Sequence, residues 1–335
     1  MRLCDSPDAL RKALQTELED FTVPGWWRKP LELPAEASFL PSAGPAVLEY
    51  RRRLASRAAW GPRTVWHQAG TLPWVHGSTA ERLGVNVFSP PGPSQGSLLL
   101  VHGYLAHAGD FAYTISLFVA LGWTVITVDL PGHGLSTGPR ADIDVFDSYG
   151  NAVRSWLGWF RAQEWPGPVV LVAHSLGTAA SLDALSQPGV LVPDQVIFCA
   201  PLLRLLWYKW LVVGEKVAGW ALREVPLQLG SDGYLDATAA TVHWFTVLRQ
   251  WLRRLDSRPP LELPLTILSG DQDQIVDQVW NQSKYRQLVP GHRYVLLPGR
   301  DHVFLTAAKD REGAHAEILR LLDQTLPGVS PNLRR

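Results

Sequence analysis

At 335 residues, 46% hydrophobic and 19% charged, the chain can hold one large domain or two small ones and has ample apolar material for a core. Lys+Arg and Asp+Glu balance at 31 each, so no net field draws it to nucleic acid or to an acidic partner. Two cysteines, Cys4 and Cys199, are too few for the disulfide framework of a small secreted domain.

Residues 1–62 read as an N-terminal extension of helical segments. Asp8 through Leu18 is amphipathic, and Pro24, Pro30, Pro34, Pro41 and Pro45 punctuate the stretch after it. Met1–Asp20 lacks a basic start followed by an apolar run, and no uncharged apolar stretch of about eighteen residues occurs, so the expectation is a cytoplasmic protein. Trp26-Trp27-Arg28-Lys29 combines aromatic and basic side chains, as in a peripheral contact with lipid headgroups, with core packing as the alternative.

Thr64–Gln68 and Gly84–Phe88 predict short strands, and Ser89–Ser94 a turn-rich connector. Beyond them come six short, β-branched apolar runs: Leu98–Val101, Val125–Val128, Val169–Val172, Val196–Phe198, Leu265–Leu268 and Tyr294–Leu297. Such runs, separated by helix-length segments, predict a mostly parallel central sheet with flanking helices. Residues 63–200 and 265–328 form this α/β core. The intervening 201–264 carries Trp207, Trp210, Trp220, Trp244 and Trp251, with helical spacing over His243–Leu252. Inserted after the fourth run, it falls over the carboxyl edge of the sheet and reads as a helical lid.

Ala173-His174-Ser175-Leu176-Gly177 comes directly after Pro168–Val172, which puts Ser175 on a strand-to-helix corner, the layout of a nucleophile elbow. Small residues are needed two before and two after the serine because the backbones nearly touch. Gly177 and Ala173 meet that need, although glycine is usual at both places. A serine hydroxyl needs a base and an acid that orients the base. Of the later histidines, His243 lies in the lid, His292 precedes the last strand, and His302 comes after that strand at the carboxyl edge where ligands gather. Asp271, Asp273 and Asp277 compete as acid. Asp273, three past Gly270, is best placed to reach the histidine loop, whereas Asp271 and Asp277 suit capping or solvation, and Asp301 adjoins His302 too closely. Two backbone N–H groups are predicted to face the oxyanion, from Leu176 at a helix start and from Tyr104 behind Gly103.

Together, His102-Gly103-Tyr104, Asp129-Leu130-Pro131-Gly132-His133-Gly134-Leu135-Ser136, the Ser175 corner, Gly270–Asp273, His302 and the stretch Gly138-Pro139-Arg140 leading to Phe146 and Tyr149 resemble the α/β-hydrolase superfamily. More narrowly they resemble its lysophospholipase, monoacylglycerol lipase and S33 serine-aminopeptidase-like branch, over about residues 84–325. The resemblance implies an α/β-hydrolase fold and makes the Asp129–Ser136 loop structural, so that His133, like His174, is a neighbour of the chemistry and no base. Ala173, Ala106 in place of an acidic residue after the oxyanion loop, and the N-terminal extension depart from the family pattern.

No metal motif stands in the chain, and the expected chemistry needs no cofactor. These residues together read as a serine esterase acting on an acyl lipid such as a monoacylglycerol or lysophospholipid, with Trp207, Trp210 and Trp244 roofing the acyl pocket. An amide or peptide hydrolase of the same fold, or a non-catalytic relative that binds a lipid or a protein partner, remain the alternatives.

Overall fold

The computed structural model describes residues 7–18, 45–57, 65–77, 79–218, 223–227, 235, 237–307 and 311–326. Its centre is an eight-stranded sheet. The strands are β1 (Trp66–His76), β2 (Thr79–Ser89), β3 (Ser97–Val101), β4 (Thr124–Val128), β5 (Val169–His174), β6 (Gln195–Cys199), β9 (Leu265–Gly270) and β10 (Arg293–Leu297), while β7 (Glu224–Pro226) and β8 (Ala239–Thr241) pair apart from it. The eight lie in the order β1-β2-β4-β3-β5-β6-β9-β10. From β4 to β10 every pairing is parallel, and β1 and β2 join antiparallel.

Alternating side chains of the central strands enter two cores. Leu99, Val101, Leu171, Ala173, Val196 and Phe198 face one, while Leu98, Leu100, Val170, Val172, Ile197 and Cys199 face the other. Both faces are dry, which is why these strands read as unbroken apolar runs. Helices α4 (Asp147–Arg161) and α5 (Leu176–Leu185) cover the first face, and α3 (Ala112–Ala120) and α9 (Arg311–Thr325) cover the second. In α4 the buried stripe Tyr149, Val153, Trp156 and Phe160 recurs every three or four residues, with Asp147 in the first turn and Arg161 in the last, the charge placement a helix dipole favours.

Two elements exceed the expectations. The strands foreseen as Thr64–Gln68 and Gly84–Phe88 form an antiparallel hairpin with eleven residues in each strand, and Thr64 lies outside the described residues. Only Val85–Phe88 of β2 pairs with β4; the outer half reaches the first core through Leu72, Trp74 and Leu83, and the polar and exposed residues between them hide its extent in the sequence. Pro73 is tolerated because β1 is an edge strand. The insertion between β6 and β9 holds helices α6 (Tyr208–Ala218) and α7 (Val242–Leu255), but also the small antiparallel ribbon of β7 and β8. Helix α7 starts at Thr241, whose side chain accepts the Trp244 N–H at 3.0 Å, and buries Trp244, Leu248, Trp251 and Leu255. Trp251 Nε1–H donates to Asp183 of α5 at 2.8 Å and Arg258 pairs with the same carboxylate, tying the insertion to the core.

In the N-terminal region α1 (Pro7–Glu17) and α2 (Pro45–Arg57) bury Leu10, Leu14, Val47, Tyr50 and Leu54 in the second core. Cys4 and the Trp26-Trp27-Arg28-Lys29 segment lie outside the described residues. Among those described, no helix is long and apolar enough to cross a membrane.

Several histidines are packed into this frame as neutral rings. His67 donates through Nε2 to Asn86 Oδ1 at 3.0 Å, and burial pulls its pKa down to about 3. Burial likewise lowers His315, beside Thr114, and His174 to about 4. Unfolded histidines take up protons near pH 6.5 and these folded ones do not, so stability is full above that pH and is lost as pH falls toward 4. Each group contributes roughly 1.4 kcal/mol per pH unit in that window. Urea unfolding should therefore show a lower midpoint at pH 5 than at pH 7; equal midpoints would contradict the burial of these rings.

Candidate active site

Ser175 sits between β5 and α5 with φ 50 and ψ −114, a left-handed conformation that a side-chain-bearing residue adopts only under constraint. Its N–H donates to Cys199 O at 3.0 Å, and its carbonyl accepts the Thr178 N–H at 3.0 Å and the Thr178 hydroxyl at 2.7 Å. Gly177 explains the constraint, since a Cβ there would stand 2.6 Å from both the Val101 and His102 carbonyl oxygens. Helix α5 thus rests on the end of β3. The methyl of Ala173 is fully buried in the first core, between the pairing partners Val101 and Phe198.

β3 and β5 are neighbours at the point where strand order reverses, with β4 lying to one side and β6 to the other, and ligands of open α/β sheets gather at such a crevice. There the loops after β9 and β10 bring Asp273 and His302 to Ser175. His302 Nε2 lies 2.9 Å from Ser175 Oγ, and His302 Nδ1 lies 2.8 Å from Asp273 Oδ2. Both side chains are buried. Asp273 Oδ1 also accepts the Ile275 and Val276 N–H groups at 2.8 and 3.2 Å. Burial pushes the Asp273 carboxyl up, but the hydrogen bond from His302 and the two backbone donors outweigh it and hold the carboxyl below its usual range. With Asp273 accepting at Nδ1, the imidazole presents its Nε2 lone pair to the serine hydroxyl.

The competing groups are engaged elsewhere. Asp271 accepts the Gly299 N–H at 2.7 Å, Asp277 caps α8 (Gln278–Leu288) through the Trp280 N–H, and Asp301 accepts the Val303 N–H at 3.0 Å. His243 faces Asp142 on the surface, and His292 donates to Val289 O before β10.

The loop after β3 closes the other side. Gly103 packs against the elbow, where a Cβ would meet His174 Nδ1 at 2.8 Å and Ser175 Cβ at 3.2 Å. His102 Nδ1–H donates to Gly103 O at 2.7 Å while its Nε2 accepts the Leu130 N–H at 2.8 Å, which fixes one neutral tautomer; burial lowers its pKa. A peptide's carbonyl and N–H point opposite ways, so holding Gly103 O also orients the Tyr104 N–H. Neither the Tyr104 nor the Leu176 N–H donates to a protein acceptor among the described residues. The narrow cleft beside Ser175 and His302 is lined by Gly103, Tyr104, Asp110, Phe111, His174 and Val303, among others.

The three tryptophans expected to roof this cleft are not among its lining residues. Trp207, just before α6, and Trp210 on it are 68% and 70% exposed, whereas Tyr208 and Val212 are the α6 residues that pack on the first core; Trp244 is buried, stacked on the Tyr104 ring at a centroid distance of 3.8 Å. Tyr104 also donates its hydroxyl to Ala141 O at 2.7 Å, so the loop after β3 and the start of α7 share one anchor. His174 has a role that sequence reading missed: its Nε2–H donates to His302 O at 2.9 Å, pinning the histidine loop to the elbow. The partners are 128 residues apart, and only the histidine next to Ser175 gives a hint. His133, buried and neutral, donates to Pro131 O at 2.9 Å. Among the described residues no group of three or more His, Cys, Asp or Glu could hold a metal ion.

Several known proteins are similar. Phospholipase YtpA of Bacillus subtilis is 24% identical over 204 residues, 54% of this chain and 77% of its own. The monoglyceride lipase of Homo sapiens is 28% identical over 130 residues, 38% of this chain and 42% of its own, so that alignment spans less than half of the relative. In fold, a soluble variant of monoglyceride lipase from Saccharomyces cerevisiae superposes with a TM-score of 0.60 at 17% identity, covering 77% of this chain and 95% of that one. The monoacylglycerol lipase of Paleococcus ferrophilus gives 0.58 at 20% identity, covering 72% and 99%. The family model for serine aminopeptidase, S33, matches residues 92–307. That span is well over half of the chain, which therefore belongs to the serine aminopeptidase S33 family of α/β-hydrolases.

Proposed function

We propose that the chain is a serine hydrolase that cleaves carboxylic esters of acyl lipids, of the monoacylglycerol or lysophospholipid kind. The observation that carries this reading is the continuous chain from Asp273 through His302 to Ser175 Oγ, at 2.8 and 2.9 Å, on a strained corner beside two N–H groups that no described acceptor occupies. Ser175 Oγ attacks the ester carbonyl while His302 Nε2 takes its proton, and Asp273 stabilises the imidazolium. The tetrahedral oxyanion is held by the Leu176 and Tyr104 N–H groups, the former at the positive end of α5. Collapse expels the alcohol, which receives the proton from His302 and leaves an acyl-Ser175. Water, deprotonated by His302, attacks that ester and releases the fatty acid.

The names of the relatives support a lipid ester, and Phe111 and Val303 supply apolar surface beside the serine. An amide substrate with a free amino terminus fits less well, because the cleft's Asp110 carboxylate already accepts the His107 N–H and faces Arg57.

A panel of p-nitrophenyl and glycerol esters of graded chain length tests the reading. Turnover should be higher for the longer acyl chains than for acetate and fall by about 10⁴-fold or more in Ser175→Ala, with the fold unchanged by circular dichroism. A Ser175→Ala variant that keeps wild-type turnover would sink it. For Asp273→Asn, kcat is expected to drop roughly 10⁴-fold, since the amide no longer enforces the tautomer that His302 needs. A loss below about tenfold would remove Asp273 from the mechanism.

A further inference from the structure

Helices α1 and α2 precede residues 92–307, the part matched by the family model, yet they hold the loops around Ser175. Arg11 donates to Gly134 O at 3.1 Å and Ser136 O at 2.7 Å, and Gln15 donates to Ser136 O at 2.9 Å. The Gly134–Ser136 segment is bound in turn to the loop after β3, because one Asp129 carboxylate accepts the Leu135 N–H and the Ala108 N–H, each at 2.8 Å. From α2, Arg57 reaches that second loop directly. Its Nη1 donates to Gly109 O at 3.1 Å and stands 3.9 Å from Asp110 Oδ1.

Asp110 makes this contact matter for chemistry. Its Oδ2 accepts the His107 N–H at 3.1 Å, which closes the turn that begins at the proposed oxyanion loop, and its side chain is 1% exposed. It also lines the cleft that contains Ser175. A desolvated carboxylate in that cleft opposes the negative charge that forms on the substrate oxygen, unless a cation offsets it. The Arg57 guanidinium, with 28% of its side chain exposed, faces that carboxylate from outside the cleft.

We infer that Arg57 is a positioning and charge-compensating residue for the oxyanion site, so that the N-terminal helices are a working part of the hydrolase. This rests on the reading of Ser175 as the nucleophile. Arg57 acts through Asp110 and the Gly109 carbonyl and touches no substrate. Its removal therefore affects the transition state more than substrate binding.

The test compares kcat and KM of the full chain on a medium-chain p-nitrophenyl ester for the wild type, Arg57→Met, Arg57→Lys, Asp110→Asn and the double variant Arg57→Met/Asp110→Asn. Arg57→Met should lose about tenfold in kcat with KM within about twofold, and Arg57→Lys should recover part of that loss. The double variant should regain most of the wild-type rate, because the amide oxygen introduced by Asp110→Asn still accepts the His107 N–H but carries no charge. A purely structural brace would show no such rescue. Asp110→Asn alone should raise kcat about twofold, which keeps the inference open to refutation should Arg57→Met fail to fold. Wild-type kcat in Arg57→Met, an unrescued loss in the double variant, or a fall of about tenfold in Asp110→Asn would each overturn the inference. If instead the wild-type chain turns over no ester at all, it is the serine-hydrolase reading that fails, and this one with it.

Discussion

How closely helix α5 approaches the end of β3 decides everything at the candidate site. Gly177 lies against the Val101 and His102 carbonyls with no room for a side chain, so the chain can leave β5 only by a sharp corner. That corner forces Ser175 to a positive φ, a strain that the Cys199 carbonyl and the Thr178 side chain hold in place. It turns the serine hydroxyl to the cleft and places the Leu176 N–H at the start of a helix, where its partner is missing by construction. The loop after β3 also brings Gly103 against Ser175 and His174. One packing constraint thereby fixes the Ser175 corner and the loop after β3 against each other.

His302 and Asp273 are brought to Ser175 from the β9–β10 half of the sheet by register. β9 and β10 pair in parallel, Leu297 opposite Gly270, so the loops after them emerge together. Asp273 and His302 meet there, and His174 then fixes the His302 backbone to the elbow. A parallel sheet places such loops at one edge whatever their spacing in sequence, which is how residues 127 apart come within 2.9 Å.

Burial separates the elements that can be read in advance from those that cannot. Five of the six apolar runs were legible because both faces of those strands are buried, whereas Tyr294–Leu297 in β10 is half-exposed at the sheet edge and was legible from its apolar residues alone. The triad candidates were legible because each comes after a strand end. The outer half of the β1–β2 hairpin was not, since its few core residues, Leu72, Trp74 and Leu83, are interrupted by polar and exposed ones, and neither was the β7–β8 ribbon, with strands of three residues. For the lid tryptophans, composition misled. Trp244 serves as a stacking partner of Tyr104, whereas Trp207 and Trp210 face outward, and aromatic content alone does not distinguish these fates. The role of α1 and α2 was equally hidden, because arginines bonded to distant carbonyls leave no pattern along the chain.

Covalent capture tests most directly whether the strained serine at the β5–α5 corner is the nucleophile. The purified chain would be treated with a fluorophosphonate and digested, and the modified peptide located by mass spectrometry. One adduct is expected, on Ser175, forming in the wild type and absent from His302→Ala under the same conditions. An adduct on any other residue, or undiminished labelling without His302, would contradict that assignment.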